Sequence, residues 1–150
     1  MFTGYGKIKV HRNWWVTLDP VDDIGEYYRK TYNWENRARI ITQKPKWGSH
    51  ISVLRAEEPK KNKETWELQD GKDFEFYYEN IVITGGSHIC LNVLCPQAEE
   101  LRIYFGLNKE PLFPFHLTLG YIEWIINEKW FEETKIKDKE YEISFRGRNI

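Results

Sequence analysis

Trp47-Gly48-Ser49-His50-Ile51-Ser52-Val53-Leu54-Arg55 and its echo Phe115-His116-Leu117-Thr118-Leu119-Gly120-Tyr121 share one pattern: histidine, apolar residue, hydroxyl residue, apolar residue. Successive side chains of a strand point to opposite faces. His50 and Ser52 therefore share one face, as do His116 and Thr118, while Ile51, Val53, Leu117 and Leu119 are left for a core. A strand that sets an imidazole beside a hydroxyl on the face away from its apolar row is suited to binding. Two such strands can meet around one small anionic group. The remaining histidines are a built-in control: Asn13 stands two places after His11, and Cys90 two places after His88. Two chance matches among four histidines would arise in roughly one sequence in fifteen at average Ser and Thr usage, so the spacing gains weight only from the apolar alternation and from a repeat around it.

A chain of 150 residues fits one domain, residues 1–150, large enough to bury a core without disulfide staples. The net charge of −1 argues against a general nucleic-acid coat or a polybasic membrane binder, and leaves room for a local basic pocket. Seven Trp and nine Tyr mainly supply cores and half-buried strands, with some rings free to stack on bases. Cys90 and Cys95 have neither zinc-ligand spacing nor the look of a disulfide framework. No segment is long and apolar enough to span a bilayer, and the start carries no apolar leader. A reduced, cytoplasmic, soluble protein is expected.

Outward from the two motifs, residues 7–18 read as strand, richest in β-formers from Trp14 to Leu18. Asp19-Pro20 then has the chemistry of a helix cap and first turn, and Val21, Ile24, Tyr27, Tyr28 and Tyr32 recur at helical spacing, which predicts a helix over about 20–32. Around Ala38-Arg39-Ile40-Ile41 a short strand or an extended loop is expected. After Arg55 comes a solvated loop with Pro59. Phe74–Thr84 suggests a strand broken near Asn80, Gly85-Gly86 a turn, and His88–Leu94 the next strand. Cys95-Pro96 opens a second helix, with Leu101, Tyr104, Phe105 and Leu107 as its apolar side and Gly106 and Asn108 as stop signals. The tail offers an amphipathic aromatic segment near Glu123–Phe131 and a strand at Tyr141–Arg146.

The halves then line up. Trp14–Leu18, the Pro20 helix, a loop and the His50 strand match His88–Leu94, the Pro96 helix, a loop and the His116 strand. Thirty residues separate Pro20 from His50 and twenty separate Pro96 from His116, so the first copy carries an insertion. A strand–helix–strand unit used twice predicts an α+β fold of two lobes about a pseudo-twofold axis, with His50 and His116 across one cleft.

At this point the chain resembles the 2H phosphoesterase superfamily, named for two His-x-Ser/Thr motifs, here His50-Ile51-Ser52 and His116-Leu117-Thr118. The Lys44-Pro45-Lys46-Trp47 lead-in and the Phe115-to-Gly120 ending are similar to those of small phage-encoded members, described with RNA-repair proteins or with phage enzymes that destroy cyclic-nucleotide immune messengers. The resemblance covers roughly residues 7–122. It implies a bilobal duplicated α+β fold around a central cleft, metal-independent phosphodiester chemistry on nucleotides, and host cytoplasm as the location if the chain is phage-encoded. Ser52 stands where Thr is commoner, which keeps the hydroxyl and loses the β-branch that fixes its rotamer.

Phosphodiester cleavage needs a nucleophile activated, a leaving oxygen protonated and the non-bridging oxygens stabilised. Two histidines on either side of one phosphorus perform the first two tasks, and Ser52 and Thr118 donate to the oxygens. No metal or other cofactor is required. The substrate expected is a cyclic oligonucleotide messenger or a 2′,3′-cyclic phosphate end, RNA ends included, since a long RNA normally calls for a basic track. Lys44, Lys46 and Arg55 are candidates to meet phosphate charge, although strict alternation from His50 aims Arg55 at the opposite face. Tyr5, Trp47 and Trp66 are candidates to stack on a base. His11 and His88 read as structural. The competing reading is a nucleotide- or RNA-end-binding module that keeps the pocket and turns nothing over; a third is a structural or interaction protein with incidental motifs.

Overall fold

Buried Gly4, Gly6 and Ile8 alternate with exposed Tyr5, Lys7 and Lys9 from the first residues onward, a strand with one face on the core. The computed structural model describes residues 1–36, 40–125 and 144–145. This first strand is β1 (Phe2–His11), and it turns back into β2 (Trp15–Pro20). The expected single strand over 7–18 is thus a hairpin, with Val10 opposite Val16. Its tip places Asn13 and Trp14 at φ of 58° and 60°. Asn is enriched in that left-handed region and Trp adopts it rarely, and no Gly marks the turn. Trp14 is held instead by its neighbours, edge-on to Trp66 at 4.9 Å and beneath the Lys63 ammonium at 5.8 Å.

The first helix, α1 (Ile24–Glu35), starts four residues later than expected. Asp19 and Pro20 are consumed by pairing with Lys7 and Gly6 at the end of β2. Asp23 is the cap instead, its carboxylate accepting from Glu26 N at 3.1 Å. Next come β3 (Ile40–Gln43), β4 (Ile51–Arg55), two 3-10 turns at Lys63–Thr65 and Glu67–Gln69, β5 (Asp73–Tyr78) and β6 (Ile83–Gly85). The break expected near Asn80 falls between β5 and β6. Then follow β7 (His88–Leu94), α2 (Pro96–Tyr104), β8 (His116–Ile125) and β9 (Ser144–Phe145), which pairs with the end of β8. Pro96 sits in the first turn of α2, and Gly106, at φ 77°, follows its end. Residues 126–143 and 146–150 lie outside the described part of the chain, and with them most of the two tail elements expected from sequence.

Every pairing among the described residues is antiparallel. Neighbours run β3-β8-β4-β2-β1-β5-β7-β6, and β7 also pairs with β8, which closes the path β8-β4-β2-β1-β5-β7 on itself. The architecture is α+β with a mostly antiparallel sheet. Its apolar face buries Ile8, Val16, Leu18, Ile51, Leu54, Leu91, Leu117 and Leu119 in one cluster. Ala98, Leu101 and Phe105 from the α2 segment join that cluster, while Ile24, Tyr28 and Tyr32 of α1 pack against it. No helix among the described residues is long and apolar enough to cross a membrane.

Candidate active site

Ile51 and Leu117 face each other across β4 and β8, and Thr118 N donates to His50 O at 3.1 Å. This register sets His50 opposite Thr118 and Ser52 opposite His116. All four point away from the buried pair, since Ile51 and Leu117 are fully enclosed. The histidines form one diagonal of the resulting square and the hydroxyls the other. Diagonal neighbours in an antiparallel pair stand roughly 7–8 Å apart, a span that admits one phosphorus between two imidazoles.

The imidazoles are held alike. His50 Nδ1 lies 2.8 Å from Gly48 O, and His116 Nδ1 lies 2.8 Å from Pro114 O. A carbonyl only accepts, so each Nδ1 carries a proton. Each Nε2 is left to present a lone pair when the ring is neutral and an N–H when it is charged. In both motifs the anchoring carbonyl belongs to the residue two places earlier. The approach to His50 also depends on Gly25 in α1: a Cβ there would lie 1.8 Å from Ser49 Oγ and 2.5 Å from its Cβ, so glycine lets the lead-in to the motif close on the helix.

The strands flanking the two motifs pair with them in matching registers. Leu18 opposes Ile51 and Thr17 opposes Ser52; Leu91 opposes Leu117 and Cys90 opposes Thr118. One residue further, each ladder slips. Val16 pairs with Leu54, leaving Val53 extra, and Ile89 pairs with Gly120, leaving Leu119 extra. These are β-bulges, which re-aim the residues beyond them. The first corrects the expectation for Arg55. Strict alternation sends it to the core face, whereas the bulge at Val53 returns it to the site face opposite Trp15. There it helps line a hollow of about 290 Å³ with Ser52 and His116, its guanidinium 5.6 Å from the Phe113 ring.

A second hollow, of about 490 Å³, opens beside His50 and is lined by Lys9, His11, Arg12, Trp15 and Trp47. A third, of about 900 Å³, surrounds the hairpin tip near Trp14, Trp66 and Asp70 and includes no motif residue. Trp47 thus stands next to the motif, with the Lys46 ammonium 5.1 Å over its ring. Tyr5 is exposed on the site face of β1, opposite Glu75, and lines neither the Arg55 hollow nor the His50 hollow. Trp66 is packed against Trp14 and, at 5.6 Å, Phe105, and is not brought to the motifs.

Two histidines read as structural from the sequence, His11 and His88, also stand on this face. His11 Nε2 donates to Thr17 Oγ1 at 2.9 Å, because the Thr17 hydroxyl gives its own proton to Asp19 Oδ1 at 2.8 Å. His88 packs edge-on against Tyr121 at 4.6 Å. Burial, then the nearby His116 and Arg55, push its imidazole below the ordinary value. Neither has a hydroxyl two places on, so the motif count passed over both.

Arg102, by contrast, is a residue the sequence reading did not single out. It is 1% exposed and donates to Asn108 O at 2.7 Å, to Val53 O at 2.8 Å and to both Glu57 oxygens at 2.8 Å. The signal was present, since residues 98, 102 and 105 fall on one helical stripe. The Arg102 hydrogen bond holds the Glu57 carboxyl below the usual range, partly offset by burial. A carboxylate with a lowered folded pKa stabilises the fold above its unfolded value, about 4.3. That contribution is lost as pH falls through the folded value. Thermal melts should show wild-type Tm dropping in that acid window and a flatter acid limb for Glu57→Gln. An equally steep limb in the variant would assign the acid sensitivity elsewhere.

Comparison with family models, with curated proteins and with solved structures returns no match for this chain.

Proposed function

We propose that the chain is a metal-independent phosphodiesterase of the 2H type, acting on cyclic oligonucleotides or on 2′,3′-cyclic phosphate ends. On this reading the paired strand–helix–strand units are the two lobes of a duplicated fold. The observation that carries it is the matched square of His50, Ser52, His116 and Thr118, with both Nδ1 protons tied to carbonyls and both Nε2 atoms left available. One neutral imidazole takes a proton through Nε2 from water, or from a neighbouring 2′-hydroxyl in an RNA-like linkage. The new oxygen–phosphorus bond forms as the leaving oxygen departs, and that oxygen receives a proton from Nε2 of the other, charged imidazole. The hydroxyls of Ser52 and Thr118 donate to the non-bridging oxygens, where negative charge concentrates. Arg55 adds a cation on the His116 side, and Trp47 with Trp15 offers ring surface for a base on the His50 side.

Purified protein in excess EDTA, given a panel of cyclic dinucleotides, cyclic trinucleotides and 2′,3′-cyclic mononucleotides, should cleave at least one class. Tight binding of an intact ligand across the panel would select the binding-module reading in its place.

A further inference from the structure

Each bulge in the motif strands sets an extra, buried residue, Val53 or Leu119, outside the ladder register, and a buried carbonyl at such a place calls for a donor from elsewhere. In both repeats a helix arginine supplies the missing donor. Arg102 Nη1, from α2, reaches Val53 O at 2.8 Å, and Arg29 Nη1, from α1, reaches Leu119 O at 3.1 Å. The contacts cross over: the helix of the first repeat holds the motif strand of the second, and the reverse. We infer that Arg102 and Arg29 are positioning residues that pin the two bulges and so turn Arg55 and Tyr121 onto the face carrying the histidines, with Arg55 set to meet phosphate. The inference deepens the phosphodiesterase reading and rests on it.

Further features fit this role. Glu57 Oε1 accepts from Arg55 N at 3.1 Å as well as from Arg102, so the clamp grips both Val53 and Arg55. The Arg102 fork satisfies four acceptor atoms on three residues, which a lysine ammonium at that depth would not reproduce. Gly120 makes room on the other side: a Cβ there would lie 2.4 Å from Gln43 O and 3.1 Å from Arg29 Cδ. Arg55 in turn lies within electrostatic reach of the site, since it and His116 both act on His88.

Inorganic phosphate titrated into the full-length protein tests the proposal by NMR, read at the imidazoles of His50 and His116 and at the Arg55 side chain. In the wild type all three should respond with a single affinity. Arg55→Ala should weaken phosphate on the order of 10-fold, the size of one charge-assisted contact. Arg102→Lys should weaken it as much and abolish the Arg55 response, and the double variant should be no weaker than Arg55→Ala alone. A folded Arg102→Lys that binds phosphate like the wild type, or losses that add, would overturn the proposal. If Arg102→Lys fails to fold, Arg29→Met at its half-buried position tests the clamp at the second bulge, the one that turns Tyr121. The Ile89–Gly120 interstrand contact should then disappear as the β7–β8 register regularises, and its persistence would refute the clamp. Silent histidines in the wild type would count against the phosphate site itself, and the clamp would then stand or fall on the Val16–Leu54 contact in Arg102→Lys.

Discussion

If the chain is the phosphodiesterase proposed, His50→Ala and His116→Ala should each lower turnover by on the order of 10²–10⁴-fold, the range supplied by a positioned acid or base. Both variants are expected to keep the fold, since both side chains are only half-buried and stand on the face away from the core. The double variant should fall little below the worse single one, because base and acid serve one step and their losses do not add. The pH profile carries the division of labour. Wild-type kcat/KM should be bell-shaped, with one ring needed neutral and the other charged. Each single variant should lose one limb of the bell, and the limb lost names the residue as base or acid. Full activity in either variant removes the shared-phosphorus mechanism, whatever the profile.

Ser52→Ala and Thr118→Val should each reduce kcat by on the order of 10²-fold, the scale of one donor to a developing oxyanion. The expected loss lies mainly in kcat because the hydrogen bonds strengthen as charge grows on the non-bridging oxygens. Thr118 is 7% exposed, so valine, which keeps its shape, is the fitting replacement. Unchanged kcat in both variants would leave the hydroxyls without a catalytic part, even if the histidines proved essential.

How far the sequence disclosed these features depended on the kind of order involved. Period-two alternation put His50 with Ser52 and His116 with Thr118, and it put Ile51 and Leu117 in the core. Cys95-Pro96 marked the start of α2 because a proline in the first turn leaves no donor missing. Local chemistry failed where tertiary pairing outbid it. Asp19-Pro20 has the residues of a helix start, yet β1 claims both for the sheet. Asn13-Trp14 turns a hairpin without glycine because Trp66 and Lys63 hold the Trp14 ring. The bulges at Val53 and Leu119 cannot be seen by counting alternation, which is why Arg55 was expected on the wrong face. Their cause sits far away in the chain, in Arg102 and Arg29, among positions that a helical wheel assigns to packing. His11 lacked any local motif and entered the site face only through the register of β1 with β2.

The central claim is that one phosphorus sits among four side chains from two repeats, and a crystal structure with a non-hydrolysable phosphorothioate cyclic dinucleotide tests it most directly. The expected result places a single phosphorus between Nε2 of His50 and Nε2 of His116, with the hydroxyls of Ser52 and Thr118 within hydrogen-bond distance of its non-bridging oxygens. A nucleotide seated with its phosphates away from this square, or held by one histidine alone, would contradict it.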